Sequence, residues 1–115
     1  MELHRWSDIP REQLNPDIAR QVIHTGRMTI ARLFLNKGAV VPRHHHMNEQ
    51  VTLLQHGRLR FVFDGREEIL QAGEVMRIAP DLPHEVHALE DSLAVDLFSP
   101  VREDWIRGDD SYLRR

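Results

Sequence analysis

Short apolar runs separated by turn-forming pairs dominate this sequence, and they restrict it to a fold of many short strands. Thr25-Gly26 and Lys37-Gly38 are turn pairs. Asp64-Gly65 lies between two apolar runs, where it predicts a tight hairpin because both residue types tolerate positive φ. Pro80 and Pro83 cannot donate to a strand ladder, so a loop is predicted there. We therefore expect an all-β fold in one domain that comprises residues 1–115.

The positions of the apolar runs and turn pairs define nine predicted strands. They are Arg20–His24, Met28–Leu35, Ala39–Arg43, Glu49–His56, Arg58–Phe63, Arg66–Leu70, Val75–Ile78, His84–Ala88 and Leu93–Phe98. The two ends of the chain show a different pattern and are read as short extensions of the strand region.

Each extension is predicted to contain a little helix. Pro10–Leu14 has the composition of one helical turn. Near the C-terminus, Ser99 suits a helix cap and Pro100 suits the first helical position. We therefore predict a short helix over Val101–Arg107 that ends at Gly108, within a tail of about residues 100–115.

The composition excludes several classes of protein. The chain has no cysteine, so any metal site must use nitrogen and oxygen ligands. The net charge is -3 without a basic stripe, so we expect no nucleic-acid partner. No stretch approaches the roughly 18 apolar residues of a membrane helix. The start of the chain has no apolar run typical of a signal peptide. We expect a cytoplasmic protein that does not contact a membrane.

The run His44-His45-His46 is the strongest chemical signal in the chain. Side chains alternate along a strand, so His44 and His46 are predicted to share one face and His45 the other. Gln50 has the same parity, and His84 begins a later strand. Three imidazoles and one side-chain oxygen form a suitable site for one divalent metal ion. Zn, Ni, Mn and Fe all suit this ligand set.

The fourth ligand has an alternative. Glu49 precedes Gln50 directly, and a β-bulge would turn its carboxylate toward the histidines instead. Regular alternation favours Gln50. The choice sets the charge of the site, since Gln50 leaves it without an anionic ligand.

If Leu93, Val95 and Leu97 of the last predicted strand pack on its outer side, alternation turns Ala94, Asp96 and Phe98 toward the interior of the fold. Burying an unpaired carboxylate costs free energy, so a carboxylate at this position is expected to have a function or a charged partner. Asp96 is either a general acid or base near the metal or the partner of an arginine, for which Arg32, Arg60 and Arg77 are candidates. Arg102, just beyond the strand, suits the capture of a substrate carboxylate. Its alternative is an ordinary solvated helix residue.

Two segments resemble the paired motifs of the cupin superfamily. Gly38, His44, His46 and Gly57 have the spacing of the first motif, with Gln50 at the usual glutamate position. The second motif is looser: Gly73, Pro80 and His84 match it. One extra residue precedes the proline, Leu82 replaces a glycine and Ala88 replaces an asparagine. The resemblance implies a jelly-roll (double-stranded β-helix) barrel with a core of about residues 28–98.

The stretch from Met28 to Trp105, and above all its FSPVREDW block, is similar to the small cupins of pectin and alginate breakdown. Those proteins linearise 4,5-unsaturated monouronates. The resemblance implies a metal held by His44, His46, Gln50 and His84, and active-site roles for Asp96, Phe98 and Arg102. It also implies a small sugar acid as the ligand and, by analogy, a homodimer.

Two other functions remain open at this point. Another metal-dependent cupin enzyme, such as a polyketide cyclase or a dioxygenase, would use the same ligand set. A cupin that binds a sugar acid without turnover would also retain the metal-type residues.

Overall fold

The computed structural model describes residues 1–115 and consists mainly of ten antiparallel strands. The strands are β1 (Glu12–Asn15), β2 (Ile18–His24), β3 (Thr29–Leu35), β4 (Val40–His44), β5 (Glu49–His56), β6 (Arg58–Phe63), β7 (Arg66–Gln71), β8 (Val75–Ile78), β9 (His84–Ala88) and β10 (Ser92–Ser99). The helix α1 spans Glu103–Ile106, and 3-10 turns span Trp6–Asp8 and Ser111–Leu113. None of these helices has the length and hydropathy that crossing a bilayer requires.

The strands form two sheets that enclose one apolar core. The six-stranded sheet has the order β1-β2-β3-β10-β5-β8, and the four-stranded sheet has the order β4-β9-β6-β7. Alternation along β3 shows how the core is filled, because Ala31, Leu33 and Leu35 are buried while the residues between them are partly exposed. Leu59 and Phe61 fill the core from the other sheet. The predicted all-β fold is confirmed.

The nine predicted strands are all present, with boundaries that differ by at most two residues. The prediction of a helical turn over Pro10–Leu14 is wrong, because this segment contributes β1. Glu12 and Gln13 pair with Arg20 and Ala19 of β2, and Leu14 is buried in the core. Sheet pairing and burial override the weak helical preference of the segment.

The C-terminal helix is shorter than Val101–Arg107, and Ser99 is not its cap. Ser99 instead continues β10, where it pairs with Glu49. The Asn48 side chain donates hydrogen bonds to the carbonyls of Pro100 (2.6 Å) and Val101 (3.2 Å), which holds the chain extended before α1 begins. The helix ends as predicted before Gly108, which has a φ of 84°.

The predicted hairpin at Asp64-Gly65 joins β6 to β7, with Phe63 opposite Arg66. Only Gly65 has a positive φ, of 72°, whereas a type I′ turn requires positive φ at both central residues. Glycine is therefore needed at one position of this turn, which projects into open space.

Gly57, between β5 and β6, is more constrained. Its φ is 91°, and a Cβ atom there would lie 2.7 Å from the Cα of Ser92 and would overlap the Asp91 carbonyl oxygen. The backbone of the β9–β10 connection therefore passes where any other side chain would begin.

We predict that Gly57→Ala destabilises the fold by about 3 kcal/mol or more, because the substitution adds steric overlap to an unfavourable φ. Gly65→Ala is the matched control, because it changes only the backbone preference and is expected to cost about 1 kcal/mol. Urea unfolding of both variants measures the difference. Equal destabilisation of the two variants would contradict the close approach at Gly57.

Candidate metal centre

Three histidines converge at one end of the barrel, and each arrives from a different piece of backbone. His44 ends β4 and lies opposite His84, which begins β9. One extra residue on β4 between Val41 and His44 forms a bulge, which turns His44 inward although Val41 is already buried. His46 lies in the loop after β4. The prediction that strand alternation turns His46 toward His44 is therefore wrong, because the loop sets its direction.

The loop that carries His46 is tied to the loop before β9. The backbone N–H of Asp81 donates to the carbonyl oxygen of His46 at 2.7 Å, and Asp81 has a φ of 61°, which aspartate tolerates better than most residues. This bond holds the loop that contains His46 against the loop that leads into His84. His45 lies outside the cluster and is exposed.

The imidazoles of His44, His46 and His84 each place one ring nitrogen in a group whose members lie within 4.8 Å of one another. The Nδ1 atom of each ring lies near a backbone carbonyl oxygen two residues away. These oxygens belong to Pro42 (2.8 Å), Asn48 (3.0 Å) and Leu82 (2.8 Å) respectively. A protonated Nδ1 satisfies each carbonyl and leaves each Nε2 with a lone pair. The cluster can hold a metal ion.

Burial keeps these rings neutral. Desolvation, together with the charges of the neighbouring imidazoles and Arg102, lowers the pKa of His44 to about 3 and the pKa of His46 to about 4. Desolvation also lowers the pKa of His84. Neutral imidazole is the form that binds a metal ion, so the rings need not lose a proton first at neutral pH.

Gln50, the second residue of β5, completes the cluster. Its Oε1 atom lies 3.0 Å from the Nε2 atom of His46, and its Nε2 donates to the hydroxyl of Thr52 at 2.9 Å. Thr52 in turn donates to the Asp96 carboxylate at 2.6 Å. Glu49 points away from this group and accepts a hydrogen bond from Arg77 at 2.6 Å.

The donor set fits a divalent cation. A neutral His46 has one ring proton, but the groups beside its two nitrogens, the Asn48 carbonyl and the Gln50 Oε1, are both acceptors. With the proton on Nδ1, the lone pairs of His46 Nε2 and Gln50 Oε1 face each other. A cation that binds both atoms replaces this repulsion with attraction.

Asp96 forms no ion pair with any of the three arginines proposed for it, so that alternative is wrong. Arg32 lies over the rings of Trp6 and Phe34, and Arg77 pairs with Glu49. Burial raises the pKa of Asp96 to about 6, although the Thr52 hydrogen bond and the Arg102 charge oppose the shift. Asp96 is therefore poised to exchange a proton near neutral pH.

Arg102 is only 1% exposed, so its interpretation as a solvated helix residue is wrong. Its guanidinium lies 4.6 Å from the ring centre of Phe98 and 4.3 Å from that of Trp105. The Nε and Nη2 atoms donate to the two carboxylate oxygens of Asp104 at 2.9 and 2.7 Å. Phe98 is buried, and its ring lies nearly perpendicular to that of His46 with 5.5 Å between ring centres.

A partly open cavity with an inner volume of about 50 Å³ lies among these groups. Its polar lining includes His44, Gln50, His84, Asp96 and Arg102. Three further residues of the site were not anticipated from the sequence: Thr52, Asp104 and Tyr112. Thr52 has the same strand parity as Gln50, so alternation was a signal for it. No sequence pattern marks Asp104 or Tyr112.

The family model described as "Cupin domain" matches residues 31–99. An RmlC-like cupin structure from Shewanella frigidimarina is 24% identical, with a TM-score of 0.84 over 91% of this chain and 96% of its own. The structure of KdgF from Halomonas sp. is 27% identical, with a TM-score of 0.83 over 90% of this chain and 99% of its own.

The polyketide cyclase RemF from Streptomyces resistomycificus shares the fold, with 17% identity and a TM-score of 0.73 over 87% of this chain and 79% of its own. A search of the curated proteins gives no match. The matched domain covers more than half of the chain and includes the residues of both sequence motifs. The chain belongs to the cupin family.

Proposed function

We propose that this cupin is a metal-dependent enzyme that opens the ring of 4,5-unsaturated monouronates from pectin or alginate breakdown. One observation carries the proposal: His44, His84 and Asp96 line a single cavity, and Gln50 and Thr52 link Asp96 to His46 in a chain of contacts. The resemblance to small uronate-linearising cupins supports the substrate class. The 27% identity to KdgF over nearly the whole length of both chains also supports it.

His44, His46, Gln50 and His84 would hold the metal ion through three imidazole nitrogens and one amide oxygen. When bound, a divalent ion supplies Lewis acidity toward the oxygen atoms of the sugar. Because all four ligands are neutral, the protein leaves the charge of the ion undiminished. Fixed Nδ1 hydrogen bonds keep the three rings oriented for binding.

Asp96 would move the proton in the reaction. Ring opening breaks the bond between the anomeric carbon and the ring oxygen while the anomeric hydroxyl loses its proton. The ring oxygen leaves as an enolate, and the neighbouring carbon takes up a proton as the ketone forms. The product is an isomer of the substrate, so no net proton is gained or lost. A carboxylate with a pKa of about 6 can therefore accept the proton of the anomeric hydroxyl and return a proton to the carbon.

Phe98 and Arg102 would shape the binding site around the sugar. The buried Phe98 ring excludes water from the side nearest His46. Arg102 supplies a positive charge for the substrate carboxylate, although Asp104 occupies the Nε and Nη2 donors that a two-pronged contact needs. In this geometry the only Arg102 nitrogen free to donate to the substrate carboxylate is Nη1.

We predict that metal-loaded wild type accelerates the loss of ultraviolet absorbance from the carbon–carbon double bond of an unsaturated monouronate, without consuming oxygen. His84→Ala removes a buried ligand and should lower both metal content and rate by about 100-fold or more. His45→Ala is the matched control, because this exposed neighbour lies outside the cluster. Metal analysis and the absorbance assay measure the two effects.

The alternatives give different results in the same assay. Oxygen consumption that depends on Fe(II) would indicate a dioxygenase, and stabilisation by a uronate without any product would indicate a binding protein. Absence of acceleration by the metal-loaded protein would contradict the proposed function.

We predict that Asp96→Asn stabilises the metal-free protein at pH 7.5 by about 1–3 kcal/mol, because burial of the ionised carboxylate opposes folding. A pKa raised from 3.8 to about 6 means that this penalty grows as pH rises through that range and disappears below it. The gain should therefore vanish near pH 4. Urea unfolding at both pH values measures it, with Asp109→Asn as an exposed control. An equal gain at both pH values would contradict the burial argument.

We also propose that the protein is a homodimer that pairs through the outer face of the six-stranded sheet. Eight apolar side chains of this face are partly or fully exposed: Ile30, Phe34, Val51, Leu53, Val75, Leu93, Val95 and Leu97. Apolar patches of this kind mark protein–protein contacts. A second copy of the same face would cover them.

We predict that Leu97→Lys converts the dimer to a monomer, because a charge at the centre of the face cannot be buried without a partner. Val62→Lys makes the same change on the four-stranded sheet and should leave the dimer intact. Light scattering after size-exclusion chromatography gives the mass of each variant. A wild type with the mass of one chain would contradict the dimer.

A further inference from the structure

The hydroxyl of Tyr112 has an unused proton. Its oxygen accepts hydrogen bonds from Arg102 Nη2 at 2.9 Å and from Trp105 Nε1 at 3.3 Å, and both partners can only donate. No protein group accepts the hydroxyl proton of Tyr112 itself. The residue lines the cavity, and its ring stacks on His44 with 4.5 Å between ring centres.

Arg102 leaves a second donor unused beside this hydroxyl. Asp104 and Tyr112 engage its Nε and Nη2 atoms, whereas Nη1 has no hydrogen-bond partner in the protein. The guanidinium is buried between two aromatic rings, where little water can reach it. The cavity therefore contains two neighbouring donors, one of them charged, without a protein acceptor for either.

We infer that Tyr112 is a substrate-binding residue that donates its hydroxyl proton to the carboxylate of the sugar acid, while Arg102 Nη1 donates to the same group. This inference rests on the proposed function and extends it. The substrate carboxylate would then receive one hydrogen bond from Tyr112 and one from Arg102, instead of two from Arg102. The pair would select acidic sugars over neutral ones, because a neutral hydroxymethyl group cannot accept two such bonds equally well.

Tyr112 belongs to the C-terminal segment, residues Asp110–Arg115, which forms part of the cavity wall. Asp110 is buried and pairs with Arg20 at 2.5 Å and with Arg114 at 3.0 Å. Asn15 donates to the carbonyl oxygens of Leu113 and Arg115 at 3.1 and 3.0 Å. These polar contacts fasten the segment to the barrel.

The cavity is partly open to solvent, and its inner space is too small for a monosaccharide. A volume of about 50 Å³ holds only a few water molecules, and Tyr112 and Leu113 form part of its wall. A sugar that binds here would therefore displace the C-terminal segment outward and lie against the Tyr112 hydroxyl and the neighbouring Arg102 donor.

The test compares sugar binding by zinc-loaded wild type, Tyr112→Phe and Arg114→Gln, measured by calorimetry with D-galacturonate and D-galactose. Phenylalanine keeps the ring stacked on His44 but removes the donor. Tyr112→Phe should weaken galacturonate binding about tenfold or more and change galactose binding less than twofold. Arg114→Gln only loosens the segment, so it should weaken both sugars by the same factor.

Other results would contradict either the role of Tyr112 alone or the proposed function as well. If Tyr112→Phe weakens both sugars equally, or leaves galacturonate binding unchanged while wild type prefers it, the carboxylate contact of Tyr112 is wrong and the proposed function stands. If wild type binds galacturonate no better than galactose, the site is not one for sugar acids. The proposed function then fails together with this inference.

Discussion

The single proton of the Thr52 hydroxyl sets the direction of the hydrogen bonds that join Gln50 to Asp96. Because the ionised Asp96 can only accept, Thr52 donates to it and must in turn accept from the amide nitrogen of Gln50. The amide oxygen of Gln50 is thereby turned toward His46. One hydroxyl thus orients a neutral metal-type ligand and steadies the carboxylate that would move a proton.

The barrel supplies these neighbours through strand register. Phe98 and Asp96 of β10 lie opposite Gln50 and Thr52 of β5, so alternation on two adjacent strands brings all four side chains to one face. On the other sheet, His44 and His84 are paired across β4 and β9. Among the four metal-type ligands only His46 lies in a loop, and the backbone bond from Asp81 fixes that loop. Most of the site is therefore built on rigid elements.

The sequence predicted the strands well because turn pairs and apolar alternation are local signals, as at Asp64-Gly65. It failed where a long-range contact decided the outcome: β1 forms because β2 is available as a partner, and Ser99 stays extended because β5 pairs with it. The same limit applies to the site. Motif spacing was enough to single out His44, His46, Gln50 and His84. The partners of Arg102, namely Asp104 and Tyr112, depend on how the tail packs, and no periodicity encodes that.

We propose that three imidazoles and one amide oxygen bind a single divalent ion inside the barrel. X-ray absorption at the zinc edge of the loaded protein measures this ligand shell. We expect three imidazole nitrogens at about 2.0–2.1 Å with one or more oxygens at about 2.0–2.2 Å. A shell made only of oxygen atoms, or one with fewer than three imidazoles, would contradict it.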